Sequence, residues 1–268
     1  MKNLNCLWAV TCLLFTTAKA QFPLPAETAG VTGQRLFLRT TAGLTFGNAC
    51  TLDSLPGFSA GIWSSRSALL QELSEYGVAV RVRLPGRAYL TGGLASRGFS
   101  LFRYQEATGM LAKQFAKKIV FATGAGWLSI HQGEGLGSRS LLLLRSGLMA
   151  NLSSKVDVAA GMRIPLRDDP MMQVSDFQIG VRYRFSPIFH LQAETGIIGA
   201  RYAVTAAIRY QAFRRFTFDM GIGGYPFRMG MGCRLQTNRM TLLFSAMYRH
   251  LPGLTPAVGV ENAFSADN

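Results

Sequence analysis

The feature that most constrains this chain is a long succession of short segments, from Tyr76 to Phe264, in which apolar and polar residues alternate. Successive side chains of a β-strand point to opposite faces of the sheet, so this alternation predicts strands that are apolar on one side only. After residue 20 no apolar run approaches the roughly 20 residues that a membrane-spanning helix needs. We therefore expect an all-β protein.

The character of the two faces indicates what surrounds these strands. In Asp176–Phe185 every second residue is Phe, Ile, Val or Tyr, and most of the intervening residues are charged or amides. The same pattern runs through four more segments: Gly77–Leu84, Phe189–Thr195, Tyr202–Gln211 and Arg215–Ile222. A soluble β-sandwich in the periplasm would also alternate. Large apolar faces with aromatic residues, opposed by arginine-rich faces, favour a barrel with lipid outside and a polar lumen inside.

The first 20 residues are typical of a secretory signal peptide. Lys2 supplies a positive start, Leu4–Phe15 is mostly apolar, and Ala18 and Ala20 place small residues at the −3 and −1 positions of a cleavage site. Cleavage after Ala20 would leave Gln21 as the first residue. Together with the strand pattern, this predicts a bacterial outer-membrane location.

The mature chain is predicted to have two parts and a tail. Residues 21–75 form an irregular N-terminal segment, a plug or a periplasmic element, with one convincing strand from Arg35 to Phe46. Residues 76–264 form a transmembrane antiparallel β-barrel of about 12 to 14 strands, an even number being expected of such barrels. Residues 265–268 are a short polar tail.

Turn residues separate several of the predicted strands. Pro85-Gly86 and Ser186-Pro187 are strong turn signals between alternating segments. The longest polar insert in the barrel half, His131–Arg139, is predicted to be a surface loop.

Two segments are apolar without a clear polar face. Ser140–Asn151 is apolar on both sides apart from Arg145, and Lys118–Ile130 mixes small and large residues. We expect such strands to line a packed interior, or to lie where the N-terminal segment fills the lumen.

Four cysteines are present, and two of them leave with the signal peptide. One of these, Cys12, offers a competing prediction in which the chain is a lipoprotein. The remaining Cys50 and Cys233 could pair in an oxidising periplasm or remain as small buried hydrophobes.

The polar faces of the predicted barrel are dominated by arginine. The formal charge is +14, which falls to +12 once Lys2 and Lys19 leave with the signal peptide. The predicted basic lumen consists of Arg81, Arg83, Arg182, Arg184, Arg209 and Arg215, with the polar partners Asp176, His190, Glu194 and Asp219. Guanidinium groups in a confined pore attract anions, so an anion-preferring pore or a cavity for an acidic ligand is one interpretation. The other is a packed interior of ion pairs. Nucleic-acid binding is not expected behind a signal peptide.

No motif predicts catalysis, a cofactor or a metal. The chain has three histidines, and they are scattered; it lacks a Gly-x-Ser-x-Gly nucleophile motif and any metal-ligand spacing. The loop sequence GEGLGSRS lacks the lysine of a phosphate-binding loop. We expect a protein that is not an enzyme.

Several stretches resemble one family of outer-membrane barrels. They are GFSAGIWSSRSALL (Gly57–Leu70), FRYQEATGMLAKQFAKKIVFATGAGW (Phe102–Trp127), GEGLGSRS, and YRHLPGLTPAVGVENAF (Tyr248–Phe264). In order and character they are similar to the PorV/PorQ-like barrels of Bacteroidota, within the FadL-like superfamily. One departure is visible, since Ser65-Arg66-Ser67 stands where family members usually carry Asn-Pro-Ala.

The resemblance implies a barrel of about 14 strands with N-terminal residues packed near or within the lumen. It also implies two functions. PorV-like and PorQ-like proteins are partner-binding accessories of type IX protein secretion, and this context leads to the first hypothesis, an accessory component of an envelope protein complex. FadL-like proteins pass hydrophobic molecules, which gives the alternative of a channel for small hydrophobic or acidic solutes. The expected partners are outer-membrane lipid, other envelope proteins and a small hydrophobic or anionic ligand.

Overall fold

The computed structural model describes residues 45, 48–50, 57–116, 118–133, 137–167, 175–198, 201–224, 227–238, 240–250 and 253–264. The signal peptide and its cleavage site, the tail at 265–268, and the predicted strand Arg35–Phe46 apart from Thr45 lie outside these residues.

Fourteen antiparallel strands form one closed barrel, in which each strand pairs with its neighbours in sequence and the first pairs with the last. The strands are β1 Phe58–Arg66, β2 Ser74–Leu84, β3 Ala88–Phe99, β4 Phe102–Phe115, β5 Ile119–Gln132, β6 Gly137–Asn151, β7 Val156–Pro165, β8 Asp176–Arg184, β9 Phe189–Ile198, β10 Arg201–Phe213, β11 Phe216–Gly223, β12 Arg228–Gln236, β13 Met240–Arg249 and β14 Gly253–Phe264. The predicted all-β barrel is confirmed, at the upper end of the expected strand number. In the part of the chain described, no helix is long and apolar enough to cross a membrane.

The outer surface of the barrel is apolar because one parity of every alternating strand points outward. In β2, Val78, Val80 and Val82 are exposed, whereas Ala79 and Arg81 between them are buried on the inner wall. The same division runs around the barrel, with exposed outward residues such as Leu94, Leu111, Phe121, Leu144, Ile179, Val204, Ile222, Met231, Phe244 and Val258. A continuous apolar exterior is what lipid requires, and it accounts for the alternation in the sequence.

The barrel begins earlier than the sequence predicted. Strand β1 starts at Phe58, inside the segment assigned to residues 21–75, and not near Tyr76. Its sequence, FSAGIWSSR, carries small Ser, Ala and Gly residues on both faces, so the alternation that identified the other strands is weak here. Two short 3-10 turns, Ser67–Leu69 and Gln71–Leu73, connect β1 to β2.

Residues before the barrel occupy part of its lumen. Ala49 and Cys50 pack in a buried cluster with inward residues of β4 to β7, among them Met110, Val120 and Met149. Asn48 lies so close to Gly147 of β6 that a Cβ built on this glycine would stand 2.1 Å from the Asn48 Oδ1 atom. The expected packing of N-terminal residues in the lumen is thus observed for residues 48–50.

The two mature cysteines lie on opposite sides of the barrel wall. Cys50 is buried in the lumen, and Cys233 is a free, partly exposed residue of the outward parity of β12. They therefore do not pair. Burial also raises the pKa of the Cys50 thiol, so this group stays protonated.

The segments that are apolar on both faces form long strands with packed inner faces. Leu141 and Leu143 of β6 point inward and pack in a buried cluster with Tyr104, Leu128 and Ile130. Both expected arrangements occur, since these residues line a packed interior while Val120 and Met149 of the same strands pack against Ala49 and Cys50 of the N-terminal segment. Their length also shortens the predicted loop at 131–139, because β5 continues to Gln132 and β6 begins at Gly137.

The connections differ between the two ends of the barrel. At the end where β1 begins and β14 finishes, here called the turn end, the connections are short, and they include the predicted turns at Pro85-Gly86 and Ser186-Pro187. Gly86 has φ of +72°, a backbone conformation that suits glycine. The opposite end, the loop end, carries the two longest connections, residues 67–73 and 166–175. Short periplasmic turns and longer extracellular loops are the usual arrangement of such barrels.

Candidate functional site: the barrel interior and a pocket in its wall

Most of the predicted lumen residues lie on the inner wall. Arg81, Arg182 and Arg209 are buried there, and so are the predicted partners. Those partners are Asp176, His190, Glu194 and Asp219. The alternation of the sequence placed these side chains on the correct face.

Three of the predicted basic residues lie nearer the turn-end opening. Arg83 is exposed at the end of β2. Arg215 was predicted to face the lumen, but it is an exposed turn residue that donates to the Asn238 Oδ1 atom at 2.9 Å. It falls in the turn because β11 begins one residue later, at Phe216. Arg184 is half-buried.

Asp157 of β7 binds two of the predicted arginines. Its carboxylate is fully buried and accepts from Arg182 Nε at 2.7 Å, and Arg184 forms a second ion pair with it. Asn151 Nδ2 donates to the same carboxylate at 3.0 Å. Asp157 is not among the predicted lumen residues, although its position between Val156 and Val158 follows the alternation.

A second buried network centres on Glu106 of β4. Arg145 Nη1 lies 3.3 Å and Arg163 Nη1 3.9 Å from its carboxylate oxygens. Tyr104 donates to it at 3.0 Å, and Arg163 Nη2 also pairs with Asp176 at 3.0 Å. These side chains come from four strands, β4, β6, β7 and β8, so a network of this kind cannot be found from local spacing.

A third pair joins neighbouring strands. Arg209 Nε of β10 donates to the Asp219 Oδ1 atom of β11 at 2.6 Å, and the two residues are directly opposite in the ladder. His190, next to Arg209 on β9, has its Nε2 atom 3.3 Å from the Pro187 carbonyl oxygen. Among the residues described, no three His, Cys, Asp or Glu side chains come together as metal ligands.

The barrel wall contains an apolar pocket of about 640 Å³. It is formed by β14 and β1 to β5, in the half of the barrel nearer the loop end. Its lining includes outward residues, Ile62, Tyr76 and Trp127, and residues of the inward parity, Trp63 and Gly77. The volume is within the range of roughly 300–1,000 Å³ that is usual for small-molecule sites.

Glycine makes room for the aromatic ring at the inner side of this pocket. Gly77 stands directly opposite Trp63 in the ladder, and a Cβ atom at residue 77 would lie 2.0 Å from the Trp63 ring. The Trp63 Nε1 atom donates to the buried Glu75 carboxylate at 3.2 Å. Glu106, the centre of the second charged network, also lines the pocket. The pocket therefore adjoins the charged interior.

Solved structures with the same fold include two monoaromatic hydrocarbon transport proteins and a FadL homologue. CymD, a monoaromatic hydrocarbon channel, aligns with a TM-score of 0.68 at 10% identity, over 91% of this chain and 98% of its own. The toluene transporter TodX of P. putida aligns with a TM-score of 0.62 at 10% identity, over 89% and 98% of the two chains. A FadL homologue of Pseudomonas aeruginosa gives a TM-score of 0.56 at 9% identity, over 91% and 99%. No protein-family model and no curated protein sequence matches the chain.

At these identities the likeness establishes the fold alone. It agrees with the FadL-like architecture that the resemblance implied, and the narrower PorV/PorQ membership stays a prediction.

Proposed function

We propose that this protein is a non-enzymatic outer-membrane channel that binds small, apolar molecules and passes them through its wall. The observation that carries the proposal is the apolar pocket, which is bordered by lipid-facing residues on one side and by Trp63 and Gly77 on the other. The central lumen contains buried ion pairs and residues 48–50, so the wall offers an apolar molecule a less polar environment. The hydrocarbon channels with the same fold support this choice.

In this proposal the protein supplies a path and no chemical step. A small apolar molecule gains free energy when it leaves water for the pocket, in proportion to the apolar area that it buries. Outward residues such as Ile62 and Tyr76 border the pocket on the lipid side. Net movement then follows the concentration gradient of the solute.

The pocket can be tested through its own fluorescence. The chain has three tryptophans, and once the predicted signal peptide with Trp8 is removed, Trp63 and Trp127 remain, both of which line the pocket. Titrating the purified mature protein with toluene should change the tryptophan emission in a saturable manner. Ala107→Phe places a ring at the pocket lining, in space that toluene would otherwise occupy. It should therefore weaken toluene binding about tenfold or more.

A matched control separates the pocket from the rest of the outer surface. Ala193 is an exposed outward residue of β9, outside the pocket, and Ala193→Phe should leave the titration unchanged. Uptake of radiolabelled toluene by intact cells that express each variant then tests passage. An emission change that never saturates, or equal behaviour of the two variants, would contradict the proposal.

An accessory function in an envelope complex, with secretion as the leading context, is the second candidate. The packing of residues 48–50 and of ion pairs in the lumen favours it, because a partner-binding barrel has no need of an open pore. A mild-detergent pull-down of the tagged protein from native outer membranes, followed by mass spectrometry, tests this function. Stoichiometric envelope proteins would support it, and a barrel recovered alone with a bound apolar molecule would support the channel.

A further inference from the structure

Two inward arginines near the turn end carry buried guanidinium nitrogens that have no hydrogen-bond acceptor in the part of the chain that the structure describes. Arg81 of β2 is 2% exposed, and its Nε and Nη1 atoms are buried without a partner. Arg234 of β12 has a buried Nε atom in the same condition. Burying a charged donor without an acceptor is strongly unfavourable, so these atoms indicate a missing partner.

Both arginines share one acidic neighbour. Glu261 of β14 acts electrostatically on Arg81 and on Arg234, and β14 lies between their strands, β2 and β12, in the order of the barrel. The Arg209–Asp219 pair also acts on Arg234, but its two charges cancel. Thr91 stands directly opposite Arg81 on β3, and its hydroxyl is likewise buried without a partner. Arg81, Thr91, Arg234 and Glu261 are here called the turn-end cluster. Its two positive charges and one negative charge leave it with a net positive charge and several hydrogen-bond donors that have no acceptor among the described residues.

The opening that leads to the turn-end cluster is also basic. Arg83 follows Arg81 on the same strand face and is exposed. Exposed basic residues occupy the turns and strand ends there: Arg83, Arg87, Lys113, Lys118, Lys155, Arg214 and Arg215. Among the described residues, the exposed acidic residue is Glu72, which lies at the loop end. An opening of one charge sign concentrates counter-ions and directs them inward.

We propose that Arg81, Arg234 and Thr91 of the turn-end cluster bind the carboxylate or phosphate group of a small solute. An oxyanion offers several acceptors to guanidinium donors, and such charge-assisted bonds are the strong ones. Glu261 limits the net charge of the site, which suits a small anion. The site lies in the other half of the barrel from the apolar pocket, so it goes beyond the proposed channel function and stands or falls independently of it.

Calorimetric titration of the mature protein with inorganic phosphate, in an uncharged detergent, tests the site. Sodium chloride keeps the ionic strength constant, so that screening does not change during the titration. We expect saturable binding that Arg81→Gln and Arg234→Gln each weaken about tenfold or more, as the loss of a charged hydrogen bond does. Arg103→Gln, an exposed arginine near the loop end, is the matched control and should bind as the wild type does.

Folding of the variants is measured in parallel by thermal unfolding. Phosphate should raise the unfolding temperature of the wild type and of Arg103→Gln, and raise that of Arg81→Gln much less. If Arg81→Gln does not fold, Arg234→Gln decides. Absence of saturable binding to the wild type, or equal binding by wild type and Arg234→Gln, would overturn the site. The toluene titration should be the same in all these variants.

Discussion

At the scale of single residues, buried charge is held by pairs that the alternating pattern cannot identify. Parity placed Arg182 and Arg209 on the inner wall correctly. Parity also placed Asp219 among the lumen partners, but it could not tell which carboxylate meets which arginine, and it missed Asp157, because strand pairing brings Asp157 opposite Arg182 and Asp219 opposite Arg209. Nor could parity give depth along the barrel, which is why Arg215 was assigned to the lumen although it lies in a turn.

Asp157→Asn should destabilise the barrel strongly. The substitution leaves Arg182, 2% exposed, without its ion-pair partner, and breaking one side of a buried pair costs about 3–5 kcal/mol. Arg184→Gln should cost much less, because its side chain is 23% exposed and Asp157 keeps Arg182. Urea unfolding in detergent micelles measures both variants. Equal stability of Asp157→Asn and the wild type would show that Asp157 does not hold the inner wall together.

At the scale of elements, the strands that could be predicted are those whose two faces differ. Asp176–Phe185 corresponds to β8 and Tyr202–Gln211 to β10, within a few residues at each end. Strand β1 was missed because Trp63 points inward over Gly77, and small residues stand on both faces around it. Its assignment depends on its pairing with β2 and β14, which no local pattern reveals.

A charged residue on the outward face of β8 should destabilise the barrel more in the middle of the strand than at its end, where the membrane surface is near. Ile179 lies in the middle of the strand and is exposed, so Ile179→Arg should cost about 2–4 kcal/mol if lipid covers it. Ile188 is equally exposed but lies in the turn after β8, and Ile188→Arg should cost about 0–1 kcal/mol. Unfolding in phospholipid vesicles compares the two variants. Similar losses at both residues would argue against a lipid-covered β8.

At the scale of the whole molecule, the closed barrel could be predicted from the sequence, but the way in which residues 48–50 pack inside it could not. A chain of alternating strands with short turns has few ways to bury its edges other than closure into a barrel. Residues 48–50, by contrast, reach Gly147 about a hundred residues later in the sequence. Their fit depends on the finished inner wall, so no pattern near them predicts it.

The difference between the two ends predicts an orientation with the loop end outside the cell. Ser100→Cys, in the exposed connection between β3 and β4, should react with an impermeant maleimide on intact cells. Arg87→Cys, in the turn between β2 and β3, should react only after the outer membrane is opened. The background should be low, because Cys50 is buried with a raised pKa and Cys233 faces lipid. The reverse labelling pattern would invert the assignment.

The ladder between β1 and β14 differs from the others because it joins strands that are far apart in the sequence. It pairs Phe58 with Phe264, whereas the other described ladders join consecutive strands that a hairpin can form locally. Pairing the first strand with the last closes a loop of almost the whole barrel, so it costs more conformational entropy than forming a hairpin. A chain that stopped before β14 would leave β1 and β13 as open edges, whose backbone groups a bilayer cannot hydrate. The barrel therefore becomes stable in the membrane only when β14 has paired with both β13 and β1.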